Sequence, residues 1–258
     1  PIMSTNENKD KKAEVTALQA ISAEDRKDWI SLAFVQAGIC VCVPAFLLGA
    51  LLAEAMPIWP AIISGSLGYL IVVVGMVATG MIGCDLGLAS CTCCQAGFGK
   101  SGARFIVSTI FAVNMIGWFG IQNGVCGEAF SNAMLAMTGW DIPVVVSNTI
   151  WGIIMLLTAV YGVHALEKLD KISIPLLMII MCYGTFLAFK VYGTGNLNDE
   201  GTVQSMSFMS GVALSFNFTA VGTITGPDYT RFQKSRKDTV KSVFYGVFPM
   251  GVITLIMG

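Results

Sequence analysis

Seven stretches of this sequence carry no charged side chain: residues 29–53, 55–84, 105–127, 142–166, 172–189, 201–227 and 242–258. Each has about the length an α-helix needs to cross the hydrocarbon core of a bilayer. Inside that core every backbone polar group must find its partner within the segment, so the pattern admits helices and little else. The expected fold is therefore an all-α integral membrane protein, with a polar cytoplasmic tail over 1–28 and a transmembrane domain over 29–258. Composition agrees: 55% of the 258 residues are apolar, 12% are charged and mean hydropathy is +0.72, against roughly 25% charged residues in soluble domains. The net charge of -1 gives no reason to expect a nucleic-acid partner. The tail itself is polar, without the apolar core of a secretory signal, and has room for a short amphipathic helix near 13–21.

Basic residues fix an expected orientation. With the tail inside, the inner segments hold Lys9, Lys11, Lys12, Arg26, Lys27, Lys100, Arg104, Lys168, Lys171, Arg231, Lys234, Arg236, Lys237 and Lys241, which leaves only Lys190 outside. The expected location is the plasma (inner) membrane, crossed several times, with a cytoplasmic N-terminus.

Two of the seven runs are poor helices. The first contains Pro44 at mid-depth, after Gly38. A proline there removes a backbone hydrogen bond and crowds the preceding turn. The sixth contains Gly222, Gly226 and Pro227, with Ser215, Thr219 and Thr223 spaced four apart on one face. Irregular backbone at membrane depth is tolerated where it is buried in protein or lines a cavity. Interrupted helices at corresponding positions of two halves mark a transporter built from inverted repeats, its site at the midplane. Helices one and six then begin two five-helix repeats of opposite topology. A second repeat starting near Gln204 has only 55 residues to occupy, so the sequence reads as the N-terminal part of a longer transporter. The competing reading of the sixth run is ordinary close packing through small residues with a Gly-Pro exit.

In the third run Asn114, Trp118 and Gln122 recur every fourth residue and share a face, two amides around an indole. A flat heterocycle uses an aromatic surface to stack on and amides that both donate and accept. Interhelical amide packing is the alternative.

Three segments, G-W-F-G-I-Q (117–122), Y-G-V-H-A-L-E-K-L-D-K-I-S-I-P (161–175) and G-T-I-T-G-P-D-Y-T-R-F (222–232), resemble the nucleobase-cation symporter family, most closely its cytosine permease branch. The similarity runs from about residue 28 to residue 258. It implies a LeuT-like inverted-repeat fold, here the first five-helix repeat plus helix six and part of helix seven, and import of a nucleobase coupled to a cation, sodium or else a proton. It implies further that Trp118 stacks on the substrate ring, that Phe218 lies on the ring's other side, and that the backbone carbonyls of Gly38 and Val41 help hold the cation, with no other cofactor. Family members complete both sites from helix eight, which lies beyond this sequence. Cytosine permeases carry a glutamine three residues before the stacking tryptophan, where this chain has Met115. Gln122, four residues after it, resembles the arrangement in the hydantoin transporter of the family. One extra residue also separates Phe218 from Asp228. These departures leave cytosine as the leading ring, with another purine, hydantoin or allantoin-like ring as the alternative.

Two other readings compete. An enzyme or receptor would draw on Glu54, Glu128 or the cysteine cluster Cys84, Cys91, Cys93 and Cys94, but no nucleophile-base pair with an orienting partner is evident and the single histidine, His164, is distant in sequence. The four cysteines Cys40, Cys42, Cys126 and Cys182 sit in apolar runs as small hydrophobes. Asp228 and Arg231 suggest a structural pair or gate at the inner end of helix six. The last reading is an inactive fragment of a transporter.

Overall fold

The computed structural model describes residues 19–160, 163–193 and 205–258, with the backbone alone described at 160 and 163–170. All seven charge-free runs contain helix. The first is broken into α1 (Trp29–Cys40) and α2 (Val43–Ala55), bent by 52°. The second is α3 (Ile58–Leu86), after which two short helices, α4 (Ser90–Cys93) and α5 (Gln95–Gly102), and a π-helical turn (Ala103–Val107) lead into α6 (Ser108–Thr138). Next come α7 (Val144–Val160) and α8 (Val163–Tyr192), then α9 (Phe208–Thr230) and α10 (Arg236–Met257). Among the described residues five helices are long and apolar enough to span a membrane, or six with the bent pair taken as one span; α7 is a shorter apolar helix.

The break in the first span follows from Pro44. Its missing N–H falls in the first turn of α2, where none is needed, and residues 41 and 42 leave helical geometry just before it. The Cys42 N–H turns to Cys40 O at 3.1 Å, and the Ala45 N–H to Cys42 O at 3.1 Å. In a continuous helix these donors would serve Gly38 O and Val41 O, so the break releases those two carbonyls from the ladder.

The sixth span corrects the sequence reading: α9 runs unbroken from Phe208 to Thr230 through Gly222, Gly226 and Pro227. Pro227 removes the donor for Thr223 O, and a neighbouring helix supplies a replacement, Thr79 Oγ1 of α3 donating to Thr223 O at 2.6 Å. The small residues serve close packing. A Cβ on Gly68 would meet Phe216 N at 2.7 Å, and one on Gly83 would meet Pro227 Cα at 2.5 Å. Ser215 Oγ donates to Gly65 O and Thr230 Oγ1 to Gly80 O, both at 2.7 Å. In lipid, where tails are as apolar as leucine, such backbone approach and interhelical hydrogen bonding hold helices together. The result is a seam from Gly65 to Gly83 along α3.

The core of this half of the molecule gathers α1, α2, α3 and α10 around Cys40, Leu52, Tyr69, Val72, Met76, Val243 and Val247, each at most 1% exposed. The helices α6, α7 and α8 form a looser group with long exposed apolar faces, among them Ile110, Val113 and Ile116 on α6 and Ile179 and Ile180 on α8. Asn123 Nδ2 donates to Asn148 O at 3.0 Å and Ser147 Oγ to Gly127 O at 2.8 Å, tying α6 to α7.

Boundaries shift in three places, one of them α6, which runs past Glu128 to Thr138. The segment around Lys168 and Lys171, expected as a loop, lies within α8, and α10 begins at Arg236 rather than near 242. Of the amphipathic helix expected over 13–21, residues 13–18 lie outside the described residues and 19–21 are not helical. The tail's described end is fastened down instead. Ile21 N–H donates to Gly87 O at 3.0 Å, and Gly87 takes φ +66 to end α3. Lys27 N–H donates to Phe232 O at 2.6 Å in a parallel bridge to Gln233, and Arg26 Nη1 reaches Gln233 O at 3.0 Å.

Candidate functional site

The break in the first span opens onto a cavity of about 250 Å³ between α1, α6 and α9, with Met155 of α7 also in its lining. From α1 and the break come Gly38, Ile39 and Cys42; from α6 come Met115, Trp118, Phe119 and Gln122. From α9 come Phe218, Thr219, Val221, Gly222, Thr225 and Tyr229. Phe218, Gly222, Thr225 and Tyr229 follow one another by four, three and four residues, one face of a regular helix. The seam with α3 therefore takes one side of α9 and the cavity takes the other.

No lining residue bears a charge. The polar groups are the Gln122 amide, which reaches the Cys42 thiol, and the hydroxyls of Thr219, Thr225 and Tyr229. Thr219 Oγ1 donates to Ser215 O at 3.2 Å and Thr225 Oγ1 to Val221 O at 3.1 Å, which leaves their lone pairs available. Trp118 and Phe218 meet edge to face at the cavity wall, centroids 5.2 Å apart and planes at 86°. An apolar aromatic wall with a few neutral polar groups suits a flat, uncharged ring.

Of the residues singled out from sequence, Trp118, Gln122, Phe218 and Gly38 line this one cavity. Val41 is 2% exposed and packs with Ala37 and Ile174, so only its released carbonyl is available at the break. Asn114 lies elsewhere, exposed on a shallow open groove with Thr109, Ile110 and Val113. Its direction explains this: Met115, one residue on, lines the cavity at nearly the same depth, but the lining face Met115, Trp118, Phe119 and Gln122 follows the spacing i, i+3, i+4, i+7, and Asn114 is turned about 100° away from Met115. The hydroxyl stripe divides as well. Ser215 faces α3, Thr219 lines the cavity, and Thr223 Oγ1 is buried without a partner in the seam. Cys42, Thr225 and Tyr229 were not singled out; their signals were the position of Cys42 two residues before Pro44 and the helical spacing of the other two from Phe218.

Glu54 and Glu128 are exposed. Asp228 Oδ1 accepts the Ser90 N–H at 3.0 Å, at the start of α4. Arg231 is 8% exposed and lies over the Phe232 ring at 4.8 Å; burial pushes its pKa down and the Asp228 charge opposes this. In the cysteine cluster Cys93 Sγ donates to Leu88 O and Cys84 Sγ to Gln233 O. Burial, then Cys94 and Asp228, push the Cys93 thiol above its ordinary pKa; burial, then Cys91 and Asp228, raise that of Cys94. Among the described residues no three His, Cys, Asp or Glu side chains are grouped to hold a metal ion. Most of the 161–175 motif, with His164, lies outside the residues whose side chains are described.

Residues 21–258 match the family described as permeases for cytosine/purines, uracil, thiamine and allantoin. The chain belongs to this family. Its members are permeases rather than enzymes. Among the permeases it resembles, cytosine permease of Escherichia coli strain K12 is 27% identical over 237 residues, covering 90% of this chain and 54% of that protein. A purine-uracil permease of Arabidopsis thaliana is 25% identical, covering 85% of this chain and 41% of the relative, and an allantoin permease of Bacillus subtilis is 23% identical, covering 87% and 50%. The chain thus spans about half the length of the curated relatives it matches. The fold matches that of Mhp1, a nucleobase-cation-symport-1 family transporter solved in a closed conformation with bromovinylhydantoin bound, at a TM-score of 0.83 and 18% identity, covering 93% of this chain and 56% of Mhp1. The permease fold is accordingly the LeuT-like arrangement, with the broken first span in place.

Proposed function

We propose that this chain is the ring-binding half of a secondary transporter that imports an uncharged planar nucleobase, cytosine first among the candidates. The observation that carries the proposal is the uncharged cavity at the helix break, walled by Trp118 and Phe218 and supplied with the Gln122 amide. Cytosine is neutral at pH 7, offers a π face to an indole, and presents donors and acceptors along its edge for a carboxamide. A charged ligand would be left without a counter-charge at membrane depth. Uracil, hydantoin and allantoin share these properties, and the relatives named for uracil and allantoin keep them in contention.

In this reading the released carbonyls of Gly38 and Val41 supply oxygen ligands to the coupling cation, sodium ahead of a proton, because hard cations prefer oxygen donors. The ion drives uptake by binding one conformation better than another. The tail faces the cytoplasm, by the distribution of lysine and arginine. The test is uptake of labelled cytosine by cells expressing the full-length protein, with uracil, hydantoin and allantoin as competitors, in media with and without sodium. Saturable uptake that falls at least tenfold in Trp118→Ala is the expected result. Uptake unaltered by that substitution refutes the site, and a failure of every ring to be taken up or to compete refutes the function.

A further inference from the structure

The contact between Trp118 and Phe218 leaves no slot for the ring assigned to it. A heterocycle held between two aromatic faces needs two layers of carbon contact, a centroid separation of about 7 Å, with the three planes close to parallel. The observed pair stands at 5.2 Å and 86°, an edge-on contact in which each ring already satisfies the other. A ligand that stacks here must first part them.

The two sides are not equally able to yield. Phe218 projects from α9, which is seamed to α3, and its side chain packs against the core cluster of Tyr69 and Met76. Trp118 projects from α6, whose main packing partners are α7 and the π-helical turn that leads into it, with a few residues of α2. A Cβ at Gly117 or Gly120, on either side of Trp118, would meet nothing within 4 Å. The room to part the pair therefore lies on the α6 side.

We propose that the Trp118–Phe218 contact is an aromatic lid over the site, which the substrate opens by moving Trp118 on α6 away from Phe218, and that opening it selects for flatness. This rests on the cavity being a ring site. A planar ring that parts the pair gains two faces in exchange for one edge contact. A puckered ring is too thick to lie against both faces at contact distance, and it loses the exchange. Phe218 is thus a specificity-determining residue, the held face against which the thickness of the ring is gauged.

The test uses full-length protein carrying 4-fluorophenylalanine at position 218. Its fluorine resonance is displaced by the ring current of Trp118, and a saturating planar ring from the competition panel moves it; in the Trp118→Leu background both effects vanish. In parallel, the affinity ratio of uracil to its ring-saturated analogue dihydrouracil is measured in wild type and in Phe218→Leu, where it falls about threefold or more. A resonance that stays put while a ring is bound at saturation overturns the lid and leaves the transporter reading standing. An unchanged uracil-to-dihydrouracil ratio in a folded Phe218→Leu protein does the same. Should no ring of the panel bind wild type, the transporter reading fails and the lid fails with it. Where Phe218→Leu does not fold, the fluorine measurement decides alone.

Discussion

Replacing Thr79 by alanine tests why the sixth span holds together. Pro227 cannot donate to Thr223 O, and the Thr79 hydroxyl stands in at 2.6 Å; its single proton has Gly75 O at 3.1 Å and Met76 O at 3.3 Å as longer alternatives. The seam leaves no space for water, since a Cβ on Gly226 would lie 2.7 Å from Thr79 Oγ1. An unpaired buried carbonyl costs about 1–3 kcal/mol in soluble proteins, while hydrogen bonds between membrane helices average about 0.6 and reach about 1.7 kcal/mol. Thr79→Ala should therefore lower stability by about 1–2 kcal/mol, with Thr79→Ser restoring most of it. Valine is unsuitable, because a methyl group cannot sit 2.6 Å from an oxygen. The decisive comparison is a double-mutant cycle with Pro227→Ala, which returns a backbone N–H to Thr223 O. In that background Thr79→Ala should cost about 1 kcal/mol less, leaving only the small void. Reversible unfolding of the full-length protein in mixed micelles reads both differences. An equal cost in the two backgrounds would show that the hydroxyl does not replace the missing donor.

Gly68→Ala should cost about 1–3 kcal/mol in the same unfolding assay, because the new methyl meets backbone atoms of Val212 and Phe216 that cannot step aside; Gly117→Ala, facing open space, should change little. Breaking the exposed Lys234–Asp28 pair with Asp28→Asn should leave the unfolding midpoint unmoved at 0.15 M salt, since exposed pairs are screened and weak. Alkylation of Cys93 by iodoacetamide should be slow at pH 7.5 and climb only at a pH above that of an ordinary thiol, because the thiolate is the nucleophile and its pKa is raised; Asp228→Asn removes one raising charge and should shift the profile toward lower pH, and an unshifted profile would remove Asp228 from the account.

How much was legible in the sequence depended on where each cause lies. Absence of charge and the position of Pro44 act within a few residues, and the helices and the first-span break followed from them. The continuity of α9 depends on a donor 144 residues away, which no local rule of glycine and proline contains. Counting in fours along the third run selected a face correctly for Trp118 and Gln122. A step of four also drifts by about 40° each time, and that drift turns Asn114 off the lining face although Met115 beside it lies on it. Phe218 entered through motif resemblance, whereas its neighbours Thr225 and Tyr229 were recoverable only once the helix was known to run on past Gly222. Lysines 168 and 171 suggested a loop because charge usually marks one; in α8 the helix continues through them.

The fastening of residues 26–28 onto the connection between α9 and α10 has a consequence for biosynthesis. Lys234 and Asp28 are separated by 206 positions, and Lys27 waits equally long for Phe232 and Gln233. At about 5–20 residues per second of translation, the amino-terminal segment spends roughly 10–40 s with its backbone groups unpaired while the intervening spans are delivered to the bilayer. Only water can satisfy those groups in the meantime, so the segment has to stay out of the lipid until the ribosome has supplied its mate. The charge of Glu24, Asp25, Arg26, Lys27 and Asp28 keeps it there.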